Sequence, residues 1–223
     1  MSNYGKRVRI SELFEDIPSE LCELFSGCIY PWEVILKIGE FLSERFNREG
    51  FTELYPDVLV GKGVKISPIA EIVGPAVICD GAEIRQGAYI RGNAYIGRDC
   101  VVGNSTEIKN ALLLDGADAP HYNYVGDSIL GRGAHMGAGA VASNLKSDKS
   151  SVTVHGDVDY PTGMRKLGAV LGDGAEIGCG CVLNPGTVVG RGAIIYPLTS
   201  VRGVVPEFSI MKGQGVTVAR EDR

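Results

Sequence analysis

Aliphatic residues recur at every sixth position through the middle of this chain. Val60, Ile66, Ile72, Ile78, Ile84, Ile90, Ile96, Val102 and Ile108 keep the interval without a slip. The residue two before the beat is often small, as at Ala70, Ala76, Ala82, Ala88 and Ala94, and Gly81, Gly87 and Asn93 close their hexads. The interval shortens by one between Ile108 and Leu113, runs on through Ala119 and Val125, and shortens again before Leu130, Met136 and Ala142. After a gap it resumes at Leu171, Ile177, Leu183, Val189, Ile195 and Val201. A period of six suits neither an amphipathic helix nor a long alternating strand. It predicts an all-β parallel β-helix of short flat strands and tight turns, three hexads to a coil, with about seven coils. Beat residues point inward, and glycine or asparagine takes turn positions of positive φ. Each coil stacks only on its neighbours, so the ends need covers.

Residues 1–55 do not share the beat. "ISELFEDIPSELCELF" and "PWEVILKIGEFLSERFNREG" have helical spacing and predict two short helices, with Pro31 as a first helical residue and Gly50 as a stop. Trp32, Ile35, Leu36, Ile38 and Phe41 or Leu42 share an apolar face, which puts Trp32 in a core. The helices are expected to cap the first coil or to lie along its side. The coils are expected over 56–205. The polar segment "NLKSDKSSVTVHGDVDYPTGMRK" carries the turn signal "YPTG" and predicts a loop ejected over 145–166. Residues 206–223 are expected to form a C-terminal tail.

Composition agrees with many turns: Gly 31 is about twice ordinary usage. A net charge of -5 argues against general nucleic-acid binding, so any anion site must be built locally from a few Lys and Arg. No apolar run is long enough for a transmembrane helix, and the N-terminus has no signal-peptide core. Cys22, Cys28, Cys79, Cys100, Cys179 and Cys181 are scattered, with no CxxC pair, which predicts free buried thiols in a reducing cytoplasm. With three histidines in the chain, no zinc site is expected.

The stretches "GNSTEIKNALLLDGADAPHYNYVGDSILGRGAHMGAGAVASNL" and "GMRKLGAVLGDGAEIGCGCVLNPGTVVG" carry a resemblance. The array resembles the left-handed β-helix acyltransferases. More closely, over roughly residues 60–205, it looks like the acetyltransferase domain of bifunctional sugar-1-phosphate enzymes. These are the bacterial glucosamine-1-phosphate acetyltransferase/uridylyltransferases and their archaeal relatives. In them a nucleotidyltransferase domain precedes the β-helix. The short segment before the beat here implies that this half, and nucleotide-sugar synthesis, are absent.

The resemblance implies acetyl transfer from acetyl-CoA to the amine of a hexosamine 1-phosphate. An ammonium has no lone pair, so a base must take its proton, and a neutral imidazole suits that task. His121 matches the family's base. Arg91, Lys109 and Tyr124 match its substrate contacts. Arg91 and Lys109 lie three hexads apart, so the beat alone stacks them on one face about 5 Å apart. Two like charges so close suggest a phosphate clamp. Asn144 matches the asparagine that holds sugar or amine. Glu107, alternating with Lys109, is expected to orient the amine or to balance the cations. There are two departures. His135 stands where the family often has asparagine, and the loop lysine falls on Ser150, with Lys149 one position off. Ala138, Cys179 and Pro197 correspond to contacts with the coenzyme, and Arg202 or Arg220 to phosphate partners. A backbone N–H near Gly137 or Ala138 would form an oxyanion hole. The implied assembly is a homotrimer with coenzyme grooves between β-helices. Competing readings are acetylation of a nucleotide-linked amino sugar or another small amine, a γ-class carbonic anhydrase, and a silent sugar-phosphate-binding homologue.

Overall fold

The computed structural model describes residues 7–213 and 215–220. Its strands stack in parallel as three faces of a solenoid. The first face comprises Val58–Val60, Ala76–Ile78, Ala94–Ile96, the second halves of Glu107–Leu113 and Tyr124–Leu130, Ala169–Leu171, Thr187–Val189 and Val204–Val205. The second comprises Lys65–Ile66, Glu83–Ile84, Val101–Asn104, Asp118–His121, His135–Met136, Glu176–Ile177, Ile194–Ile195 and Ser209–Met211. The third comprises Glu71–Ile72, Tyr89–Ile90, the first halves of Glu107–Leu113 and Tyr124–Leu130, Val141–Ala142, Val182–Leu183 and Ser200–Val201. The beat residues fill the interior, from Ile78 to Ile195 almost wholly shielded from water.

The stack runs past 205. Met211 joins the interior column, and Ser209–Met211 takes Thr217–Ala219 as an antiparallel neighbour. The expected tail therefore begins inside the last rung rather than at 206. Segment 145–166 leaves the solenoid, but it is an ordered hairpin, Thr153–His155 against Asp159–Pro161. The bridge between Leu145 and Lys166 closes its base.

The first face is apolar on both sides. Its outward residues are Leu59, Val77, Tyr95, Leu112, Ile129, Val170, Val188 and Val204, all buried. Runs such as "AVI", "AYI" and "ALL" are the sequence of strands covered on both faces, whereas "EI" and "KI" on the other faces are not. The N-terminal segment supplies the cover, so it lies along the side of the solenoid and not over its end. It forms short pieces, Ile10–Leu13, Cys22–Phe25, Pro31–Ile35 and Ile38–Glu40, followed by a wider turn, Phe41–Arg45. Pro31 starts the third, where Glu33 accepts the N–H groups of Ile29 and Tyr30 at 2.7 and 2.9 Å. Trp32 is buried and stacks on Tyr30 at 4.7 Å, with Tyr160 of the hairpin packed against both.

The corner between the first and second faces carries alternating charge: Lys62, Asp80, Arg98, Asp115, Arg132, Asp173, Arg191 and Glu207 on successive rungs. Asp80, Asp115 and Asp173 accept the backbone N–H of Lys62, Arg98 and Arg132 at 2.7, 2.9 and 2.8 Å. The remaining cationic heads take acids of the N-terminal segment, Glu20 on Arg98 at 2.7 Å and Glu15 on Arg191 at 2.8 Å. Burial alone would raise the Glu20 carboxyl. Hydrogen bonds from its own backbone, from the Tyr95 hydroxyl at 3.0 Å and from Arg98 outweigh that and hold it below the ordinary glutamate value. A depressed folded pKa stabilises the fold above the unfolded value, and that contribution is lost as pH falls through the folded value. Glu20→Gln should therefore cost about 1 kcal/mol near neutrality. Thermal melts should show the gap from wild type closing as pH drops below the glutamate range.

Candidate functional site

Two adjoining corners hold the site. At the corner between the third and first faces the beat loses one residue on two successive rungs. Strands Glu107–Leu113 and Tyr124–Leu130 run straight through it, each turning on one residue of positive φ, Asn110 (φ 47) and Asp127 (φ 48). One rung earlier the same corner takes two such residues, Gly92 and Asn93. The shorter turn draws Asp127 inward, where its side chain is 7% exposed. Lys109 donates to it at 3.2 Å and Asn110 at 2.9 Å. Asn144, leaving the next rung, donates to Asp127 and to the Tyr124 hydroxyl at 3.1 Å. The Tyr124 ring lies flat over Gly126, where a Cβ would stand 2.5 Å from the hydroxyl. Burial raises the Tyr124 phenol, helped by the Glu107 and Asp127 carboxylates, and keeps it a proton carrier.

The register stacks Arg91 above Lys109, as the beat predicts. No anion is needed to separate them, because each has its own carboxylate. Arg91 pairs with Glu107 at 2.6 Å and Lys109 with Asp127. Of the two roles expected for Glu107, balancing a cation is the one its contacts show. The cluster opens into a cleft of about 710 Å³ between the N-terminal segment and the hairpin base, lined by Leu36, Lys109, Asn110, Asp127, Arg165 and Lys166 among others. Arg165 and Lys166 are exposed and make no ion pair among the described residues. Sequence reading passed over Asp127, Asn110 and these two cations. The "RK" before "LGA" was in plain view, but only the fold shows that the chain re-enters beside Lys109.

His121 stands at the other end of the third-face rung, at the corner between the second and third faces, and is exposed. Its turn keeps the ordinary length, so the two slips re-aim Lys109 and Asp127 and leave the His121 corner in step. Tyr124 follows three residues on, within about 10 Å. Above His121 the corner turns form an axial column. Gly139 donates to the His121 carbonyl, Gly180 to the Ala138 carbonyl and Leu198 to the Cys179 carbonyl, at 2.9, 2.8 and 2.9 Å. Ala138, Cys179 and Pro197 thus stand in line over His121, and three rungs span about 14 Å. The column is bare at its edge, since a Cβ on Gly139 would meet nothing within 4 Å.

Other expected residues lie apart from the cluster and the column. Arg202 sits at the Lys109 corner of a later rung, where it meets His155 at 3.3 Å, and not on the Cys179 column. Arg220 donates to the Gly192 carbonyl beside the charged corner. Lys149 lies on the exposed loop, and its N–H bonds the Lys146 carbonyl. His135 faces outward on the second face beside Asp118, whose carboxyl burial holds above the ordinary aspartate value. The three histidines thus occupy three separate places. No helix among the described residues is long and apolar enough to cross a membrane.

These elements define a hexapeptide-repeat parallel β-solenoid with a polar cluster and a bare column on adjoining corners. The GMPPB C-terminal domain family matches residues 72–159. Bifunctional protein GlmU of Methanococcus maripaludis is 32% identical over 154 residues, 67% of this chain and 38% of that protein. The bifunctional sugar-1-phosphate nucleotidylyltransferase/acetyltransferase of Sulfurisphaera tokodaii is 32% identical over 94 residues, 42% of this chain and 23% of that protein. The chain thus spans well under half the length of these curated relatives. Among solved structures, a putative acetyltransferase from Desulfovibrio desulfuricans G20 is 22% identical, covering 81% of this chain and 31% of that one, with a TM-score of 0.40. The acetyltransferase domain of PglB from Neisseria gonorrhoeae FA1090, in complex with acetyl coenzyme A, is 18% identical, covering 69% and 53%, with a TM-score of 0.33. The chain is a hexapeptide-repeat solenoid related to the sugar-1-phosphate nucleotidylyltransferase/acetyltransferases, and the similarity lies in their C-terminal part.

Proposed function

We propose that this chain transfers an acetyl group from acetyl-CoA to the amine of a hexosamine 1-phosphate, glucosamine or galactosamine, with His121 as the base. The carrying observation is that His121 stands at the foot of the Ala138–Cys179–Pro197 column and heads the rung that ends in the Lys109–Asp127–Asn144 cluster. The column's exposed backbone edge suits a pantetheine arm, whose amides need hydrogen-bonding partners and little side-chain bulk. The imidazole takes a proton from the ammonium, and the freed nitrogen lone pair attacks the thioester carbonyl. That first proton passes from the imidazole to solvent. As the carbon–sulfur bond breaks, the nitrogen sheds its second proton, which reaches the sulfur by way of the imidazole, and coenzyme A leaves as the thiol. Arg91 and Lys109 are already neutralised, so Arg165 and Lys166 are the cations of the cleft best able to meet the acceptor's phosphate. That same cleft, with exposed Leu36 on its wall, favours as the second reading a nucleotide-linked amino sugar.

The test is thiol release from acetyl-CoA with a panel of amines. Release with a hexosamine 1-phosphate, lost in His121→Ala and weakened in Lys166→Ala, is the expected result. Release confined to nucleotide-linked amines selects the second reading. No release with any acceptor overturns both and leaves a silent binding homologue.

Cysteine labelling checks the coenzyme site without turnover. Only Cys79, Cys100 and Cys181 are buried as expected; Cys22 and Cys179 are exposed, while burial pushes the Cys79 thiol up to about 12. Iodoacetamide should label Cys22 and Cys179 first and Cys79 hardly at all. Acetyl-CoA should protect Cys179 and leave Cys22 reactive. The same reading has the chain work as a homotrimer. Exposed Tyr122, Tyr196 and Leu198 flank the column, Leu198 at 85% exposure, as a surface for a second copy. Light scattering should give three times the chain mass, and a monomer would remove the partner wall from the site.

A further inference from the structure

The corner that carries His121 is built unlike its neighbours. At Ala70, Ala88, Thr106, Ala140 and Cys181 the residue closing this turn donates its amide to the carbonyl three residues back, at 3.0 to 3.4 Å. Asn123 closes the same turn on the His121 rung and does otherwise. Its amide donates to the Thr106 hydroxyl at 3.2 Å, and its side-chain oxygen accepts the His121 N–H at 3.0 Å. Its side-chain nitrogen donates to the carbonyls of Gly137 and Ala140 on the next rung, at 2.8 and 3.1 Å. The residue is 3% exposed, in a column whose neighbours include Ala88, Ala140 and Cys181. A buried amide among such residues persists only with partners for its donors and acceptor, and each is met here.

The peptide before His121 is also turned over. On this corner Gly137 and Gly178 lie over the backbone nitrogens of Cys179 and Pro197, the residues after their register partners, 2.7 and 2.5 Å from where a Cβ would stand, with the carbonyls of Ile177 and Ile195 before those partners at 2.7 Å. Gly103 faces the Pro120 carbonyl oxygen instead, 1.6 Å from the Cβ position, so that only glycine leaves room for it. With that carbonyl driven into the Gly103 slot, the His121 N–H points the opposite way, toward the Asn123 oxygen.

We infer that Asn123 and Gly103 are positioning residues that set the His121 ring against the coenzyme column. One amide side chain fixes the backbone of His121 and, through Gly137 and Ala140, the turn that holds Ala138. It therefore sets the distance from base to acyl group. The inference rests on the reading of His121 as the base, and its test separates the two. Asn123→Ala puts back the residue type of the neighbouring rungs and should leave the solenoid folded. Asn123→Thr and Gly103→Ala provide second and third variants. The expected result for Asn123→Ala is a loss of kcat of about tenfold or more, with the KM of both substrates little changed. No further loss should appear when the same change is made in His121→Ala. Independently of turnover, carbethoxylation by diethyl pyrocarbonate, followed by peptide mass, should change in rate several-fold at His121 and stay constant at His155. Wild-type kcat together with a wild-type His121 labelling rate in all three variants would overturn the inference. Full activity in His121→Ala would overturn the base assignment instead, leaving the labelling arm to decide whether Asn123 and Gly103 orient the ring.

Discussion

His121→Ala should abolish acetyl transfer while leaving the solenoid intact. A positioned base contributes about 100- to 10,000-fold, and the loss should fall on kcat. The KM for acetyl-CoA should hold, because the column above His121 is made of corner backbone and of Ala138, Cys179 and Pro197, none of which the substitution touches. The ring is exposed and makes no hydrogen bond among the described residues, so its removal leaves no buried group unpaired. Circular dichroism and the melting temperature should match wild type. A variant that keeps its kcat would remove His121 from the chemistry.

Asp127→Ala should damage both stability and activity. Its carboxylate gathers Lys109, Asn110 and Asn144, and its loss leaves a half-buried ammonium and the Asn110 amide without that acceptor and Asn144 with only the Tyr124 hydroxyl. Removing one partner of a fully buried ion pair costs about 3–5 kcal/mol, and the partial exposure of Lys109 brings the expected cost to about 2 kcal/mol. Denaturant unfolding would measure it. Acceptor KM should rise, since Asn144 and Tyr124 lose their brace. Asp127→Asn keeps the shape but not the charge, so it should recover part of the stability while Lys109 stays uncompensated. If both variants bind acceptor like wild type, the cluster is a structural corner and not part of the acceptor site.

How much of this was legible beforehand differs from residue to residue. The six-residue interval locates the inward column, and with it the stacking of Arg91 on Lys109. The apolar outward residues of the first face stand in the sequence too, in runs such as "VLV", "AVI", "AYI", "ALL" and "AVL" on most third hexads, and they call for a cover along the side. So was the sign alternation from Lys62 to Glu207. The partners of individual charges were not legible. Arg91 and Lys109 read as a phosphate clamp, with Glu107 as one possible counter-charge, until the register gave each its own carboxylate, Glu107 and Asp127. Arg202 read as a coenzyme contact until counting corners put it beside His155. Lys149, near Asn144 in sequence, stays on the loop surface, while Lys166, 22 positions after Asn144, lies in the cleft beside it.

By itself the sequence determined the repeat, its inward column and the stacking of residues three hexads apart. Those follow from short-range rules, because a hexad states which residues turn and which face the core, whereas the short list of His121, Lys109, Tyr124 and Asn144 came from the resemblance that their motif carries. The tertiary structure decided which charges neutralise one another, which corner each candidate occupies, and how the Pro120–His121 peptide is turned. Such pairings depend on the residues spent at every earlier corner, so a one-residue slip at Asn110 changes what stands above and below it. They depend also on a hairpin that brings Leu145 and Lys166, far apart in sequence, together at its base beside the solenoid.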